Sequence, residues 1–176
     1  PEKEMLDKLQ KVYGFDPPRE HGYDVVKAVK AMHDGKATVF FAMGGNFLSA
    51  TPDTNYTAEA LRRCDLTVHV STKLNRSHLV HGKEALILPC LSLSDKDIQD
   101  GITQFVSCEG TTGVGQWSKG PLEPISKNLL SEVVILCRRA KSTLGDKSKV
   151  DWDKFEKNYD SIRDDIQKIV KGFDNY

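Results

Sequence analysis

Apolar residues recur three and four apart through MLDKLQKVYGF, where Met5, Leu6, Leu9, Val12 and Tyr13 share one side of a predicted helix and Gly14 stands where it should stop. Asp16 to Arg19, with two consecutive prolines, reads as a rigid connector. In DVVKAVKAMHDG, Asp24 is placed to cap a second helix whose stripe is Val25, Val26, Val29 and Met32, ended by Gly35. The period then changes. Ala37 to Met43 is apolar, β-branched and aromatic without polar alternation, the pattern of a fully buried strand. Thr54 opens a helix through Ala58, Leu61 and Arg62 that stops at Asp65, and Leu66 to Val70 forms the next strand. A polar loop from Ser71 to Arg76 leads into a short helix around Asn75 to Val80, and Ala85 to Leu88 is a third strand closed by Pro89. Helices alternating with strands predict an α/β fold: a Rossmann-like three-layer domain, with a mostly parallel sheet and helices on both faces, over residues 1–176 as a single unit.

Beyond residue 100 the pattern changes character. Ile102 to Cys108 predicts a strand, antiparallel or at an edge, and the glycine-rich stretch from Gly110 to Gly120 predicts a loop. Ser131 caps a helix through EVVILCRRAKSTL with Gly145 as its stop. Trp152, Phe155, Tyr159, Ile162, Ile166 and Ile169 then fall on one face of a single amphipathic helix, with the charges from Arg163 to Lys171 on its wet side.

Composition narrows the classes. With 176 residues the chain can bury a core, and its 25 basic and 25 acidic side chains balance, so no global field recruits nucleic acid or an anionic membrane. No apolar run reaches the roughly 20 residues that cross a bilayer, and PEKEMLDKLQ lacks the layout of a signal peptide. A cytoplasmic protein is expected, and the sequons at Asn55 and Asn75 are read as chance. Cys64, Cys90, Cys108 and Cys137 are too scattered for the paired thiolates of zinc or iron–sulfur sites and read as reduced core residues.

The candidate chemistry sits at the ends of the predicted strands, where ligands bind in open parallel sheets. One strand runs into Gly44-Gly45-Asn46 and the next into Ser71-Thr72-Lys73. Glycine lets backbone N–H groups approach a phosphate or heterocycle, Asn46 and Thr72 offer polar edges, and Lys73 and Arg76 can neutralise a pyrophosphate. The alternative is a sharp turn with no ligand. Neither the Rossmann nor the P-loop glycine fingerprint is present. His69, inside a strand, reads as a core or supporting histidine; His78 and His81 read as solvated surface, as do Asp95, Asp97 and Asp100. Nothing assembles a nucleophile, its base and an orienting group.

The segments VFFAMGGNFLSATPD and LRRCDLTVHVSTKLNRSHLVHGKEALILPCLSLSD resemble formate-dehydrogenase-like oxidoreductase alpha subunits of the molybdopterin family, within the dimethyl sulfoxide reductase superfamily. FDPPREHGYDVVKAVKAMHDGKATVF and YDSIRDDIQKIVKGF extend the resemblance over essentially the whole chain. It implies an interior piece of a much longer enzyme that carries molybdenum on two molybdopterin guanine dinucleotides. Gly44, Gly45 and Asn46 would form one cofactor-contacting loop, and Ser71, Thr72, Lys73 and Asn75 the other. The family's catalytic cysteine or selenocysteine, its [4Fe–4S] site and its C-terminal β-barrel have no counterpart here. Departures are also local: Ser71 stands where many relatives carry an acid, and EGTTGVGQWSKG lacks the expected acidic character. The implied partners are the molybdopterin cofactor and the remaining domains of the parent, with no catalytic residue or metal ligand in this segment, which alone is expected to be inactive. A standalone nucleotide-binding or regulatory α/β module is the alternative.

Overall fold

The structure is a computed structural model that describes residues 2–109 and 111–173, the side chains of Cys108 and Glu109 excepted. In chain order the elements are α1 (Lys3–Tyr13), α2 (Val25–His33), β1 (Val39–Met43), α3 (Phe47–Ala50), α4 (Thr54–Arg63), β2 (Leu66–Ser71), a 3-10 turn (Arg76–Leu79), β3 (Glu84–Pro89), β4 (Ile98–Gln99), β5 (Ile102–Thr103), β6 (Val106–Glu109), β7 (Gly115–Ser118), α5 (Glu132–Leu144) with a short 3-10 extension (Gly145–Lys147), α6 (Trp152–Lys157) and α7 (Asp160–Ile169). Residues 22–90 form one compact unit, and the described residues of 2–21 and 91–173 form another.

The unit over 22–90 is the α/β part. Its sheet has the order β1-β2-β3, all parallel, which places the fold in the predicted Rossmann-like α/β class. Phe40 pairs with Thr67 and Ala42 with His69, so these side chains share one face. Over that face Val29, Met32, Leu48, Ala58, Leu61, Cys64 and Val80 form the core, joined by Phe40. Val68 and Val70 point the other way and are also buried. Caps work as the sequence implies: Asp24 accepts from Lys27 N at 2.8 Å, and Asp53 accepts from Tyr56 N at 2.9 Å.

Two expectations change here. Val25 and Val26 are 53% and 70% exposed, because only the Val29 and Met32 side of α2 meets α4. β1 is an edge strand, paired on one side only, with Val39 and Met43 exposed rather than fully buried. Its apolar run resembles a central strand because composition does not record how many neighbours a strand finds.

In the other unit, Ile102 to Cys108 is two short strands rather than one: β5 pairs antiparallel with β4, and β6 with β7. β7 falls inside the stretch predicted as loop; Gly110 lies outside the described residues. The single C-terminal helix is instead α6 and α7, broken at Asn158-Tyr159. Tyr159 is the cause. Its N–H donates to Gln104 Oε1 at 2.9 Å, its hydroxyl donates to Asp97 Oδ2 at 2.5 Å, and the same oxygen lies 2.5 Å from Ser131 Oγ. Asp97 is therefore a structural acceptor and not a solvated acid. Arg163 leaves the wet face too: its guanidinium sits 3.8 Å from the Phe105 ring centroid and donates to Phe105 O. Asp165 is buried and accepts from Tyr13 Oη at 2.9 Å, tying α7 to α1.

Gly82 joins the start of β3 to the start of β2. Its N–H donates to the buried Thr67 hydroxyl at 3.2 Å, and Lys83 N donates to Cys64 O at 2.9 Å. A Cβ at Gly82 would meet Cys64 O at 2.4 Å, and that atom is backbone and cannot swing aside. Gly82→Ala is expected to cost about 2 kcal/mol, in the range of core overpacking, measured by urea unfolding against wild type.

Candidate functional site

β1 and β2 run parallel and in register from Val39↔Leu66 to Met43↔Val70, so the loops after them emerge side by side. Gly44 N donates to Val70 O at 2.8 Å, continuing the ladder one step past the strand. Gly44 and Gly45 then take φ of 68° and 70°, two left-handed residues in succession, which is the reason both positions are glycine. A Cβ at Gly45 would meet nothing within 4 Å; this backbone faces open space.

The second loop is fastened to the first. Asn75 Nδ2 donates to Gly45 O at 2.8 Å, while Asn75 Oδ1 accepts from Ser77 N at 2.9 Å. Ser77 Oγ donates to Asn46 Oδ1 at 2.9 Å and accepts from Leu48 N at 2.8 Å. Ser71 Oγ donates to Lys73 O at 2.7 Å and rounds the turn, leaving Thr72 and Lys73 exposed. Six of the seven residues expected from the sequence thus lie on two loops locked into one rim, and the seventh, Ser71, is the last residue of β2 where the second loop begins. Gly45, Thr72 and Lys73 are exposed and Gly44 and Asn46 half-buried, whereas the side chains of Ser71 and Asn75 bond within the rim.

Sequence reasoning missed Ser77 and misplaced His78. Both are buried, and His78 is not solvated surface. Asn75 N donates to His78 Nδ1 at 3.0 Å, which completes a reciprocal cap of the 3-10 turn. The signal was legible: an N-cap residue followed three positions later by an acceptor side chain is capping-box spacing. His78 Nδ1 accepts, so in the neutral ring Nε2 carries the proton.

That proton finds no partner among the described residues, and neither does His69 Nε2. The two rings lie 4.8 Å apart between centroids, inclined by 42°, and the Phe40 ring stands 5.7 Å from His69. His69 is the buried supporting histidine expected from strand alternation, 4% exposed. Burial, and then the neighbouring His78, push its pKa below the ordinary 6.5.

The other candidates are structural. His81 is exposed and donates Nδ1–H to Gly82 O, and His33 stacks on Tyr56 at 4.4 Å. Cys64 and Cys137 are free, buried thiols, and Cys90 is buried as well; burial pushes Cys137 up to about 11, far from a reactive thiolate. Among the described residues no three His, Cys, Asp or Glu side chains group to hold a metal ion, and no helix is long and apolar enough to cross a membrane. A small cavity of about 70 Å³ lies in the other unit between Leu91, Asp95, Gln104 and Ser131, too small for a nucleotide.

No protein-family model matches the chain. It is 50% identical over 174 residues to proteins of Mycobacterium bovis and Mycobacterium tuberculosis, each named as an uncharacterized oxidoreductase. To Protein YdeP of Escherichia coli it is 38% identical over 176 residues. These alignments take in 99% and 100% of the chain, which spans only 22% and 23% of the length of those relatives. The chain is therefore similar to one part of larger proteins, two of them named as oxidoreductases, and none of the names states a substrate or cofactor.

Because His69 is held below its unfolded pKa, the unfolded chain takes up the proton first as pH falls. The stability that the neutral ring preserves is present above about pH 6.5, is lost as pH drops below that value, and levels off below the folded pKa. The thermal midpoint of wild type should fall between pH 7 and 5, and His69→Gln should flatten that fall. Parallel curves for the two proteins would contradict the assignment.

Proposed function

We propose that this chain is the cofactor-gripping α/β part of an oxidoreductase, and that its strand-end rim holds one molybdopterin guanine dinucleotide of a formate-dehydrogenase-like molybdenum enzyme. The observation that carries the reading is the joining of the two loops, Asn75 to Gly45 and Ser77 to Asn46, which fixes one continuous polar edge where a phosphate-bearing ligand belongs. Similarity to proteins named oxidoreductases supports the redox role, and the motif resemblance supports the cofactor.

The residues present fit such a group. Gly45 exposes its backbone to open space, so a pyrophosphate can approach without meeting a Cβ. Lys73 and Arg76 are exposed cations on the second loop, suited to phosphate charge, and Thr72 offers a hydroxyl beside them. When bound, the molybdenum-carrying pterin supplies the two-electron chemistry on a small substrate such as formate; this chain binds and orients it. The parent's remaining domains complete the enclosure, and a cytoplasmic setting belongs to the same proposal.

Full-length protein produced in a host unable to make molybdopterin is the material for the test, with GDP as the calorimetric probe. Wild type is expected to bind, and Gly45→Val to weaken binding at least tenfold. No heat from wild type at millimolar GDP would sink the reading. If Gly45→Val lowers only the thermal midpoint, as its left-handed φ alone would require, the glycines are merely a turn.

A further inference from the structure

Asn46 is the N-cap of α3, a position where asparagine ordinarily turns its own side-chain oxygen onto the first free N–H groups of the helix. Here it makes no such bond. Ser77, 31 residues further along, caps the helix in its place, and the serine hydroxyl accepts from Leu48 N at 2.8 Å. Ser77 is 1% exposed, so its own proton must be placed within the protein, and Asn46 Oδ1 at 2.9 Å takes it. The orientation of the Asn46 amide follows from this chain of donors and acceptors. Its oxygen is committed to Ser77, which leaves Nδ2 as the remaining polar group of a half-buried side chain next to the open backbone of Gly45.

We infer that Ser77 is a positioning residue that fixes the polarity of the site: it pins the Asn46 oxygen so that only the NH2 faces the ligand, and position 46 therefore selects an acceptor, a phosphate or carbonyl oxygen, and rejects a donor. The inference rests on the nucleotide reading above and adds which hydrogen-bonding sense that ligand must present. Position 77 could not do this with an apolar side chain, because Leu48 N would be orphaned and the Asn46 amide would be free to turn over.

Asn46→Asp separates the two roles of the side chain. A carboxylate still accepts from Ser77, so the thermal midpoint should stay within about 2 °C of wild type, while the donor facing the ligand is gone. In the same protein and with the same GDP probe, Asn46→Asp should bind at least tenfold more weakly. Ser49→Asp, an exposed residue of α3, carries the same added charge and should change affinity less than twofold. In a Ser77→Ala background the penalty of Asn46→Asp should shrink at least threefold, a coupling that a serine serving stability alone would not show. Wild-type silence toward GDP would remove the nucleotide reading and this inference together. Binding by wild type with equal binding by Asn46→Asp, or an equal loss in Ser49→Asp, would overturn the inference alone. An undiminished penalty in the Ser77→Ala background would overturn the role of Ser77, and if that variant fails to fold, the comparison of the two aspartate variants still decides whether Asn46 donates.

Discussion

The parallel register of β1 on β2 is the constraint from which the site follows. Because Met43 pairs with Val70, both chains leave the sheet at the same end and at the same height, and Gly44 can extend the ladder to Val70 O before turning. An antiparallel pairing would have sent the two loops to opposite ends, beyond the reach of any single molecule. The register is set in turn by burial. Thr67, Val68, His69 and Val70 are all buried, with neighbours on both faces, and a slip of one residue would exchange the two sets of side chains.

At the rim itself the strands contribute position and the polar groups contribute shape. Two consecutive left-handed glycines would leave a loose corner, but Asn75 and Ser77 hold it from the opposite loop. Each of these bonds is worth only about 1 kcal/mol net, and the larger effect is the penalty, roughly 1–3 kcal/mol, for leaving a buried partner such as Leu48 N unpaired. That asymmetry makes the closed arrangement specific even though no single contact is strong.

The buried histidines complete the same unit from below. His78 spends one nitrogen on the cap of the 3-10 turn, and its ring lies against His69 on the central strand. A core of Phe40, Leu48 and Leu61 alone would pack as well without titrating. With the His69 imidazole in that place, its protonation in acid weakens the support of the loops that form the rim.

Local chemistry made much of this legible in the sequence. The caps at Asp24 and Ser131, the stop at Gly14, the three strands and the glycine corner all depend on residues a few positions apart, and each formed where its pattern stood. Position-by-position reading placed Gly44, Gly45, Asn46, Thr72, Lys73 and Asn75 on the loops that follow two neighbouring strands, and ended β2 one residue short of Ser71. It could not show that Ser77 reaches Asn46 and Leu48 across 31 and 29 residues, nor that Tyr159 breaks a well-patterned helix to satisfy Asp97 and Gln104. It also could not tell an edge strand from a central one at Val39 to Met43. Periodicity and capping are short-range properties written into neighbouring side chains. Which distant donor meets which acceptor, and how many strands flank a strand, is decided only when the chain has folded back on itself.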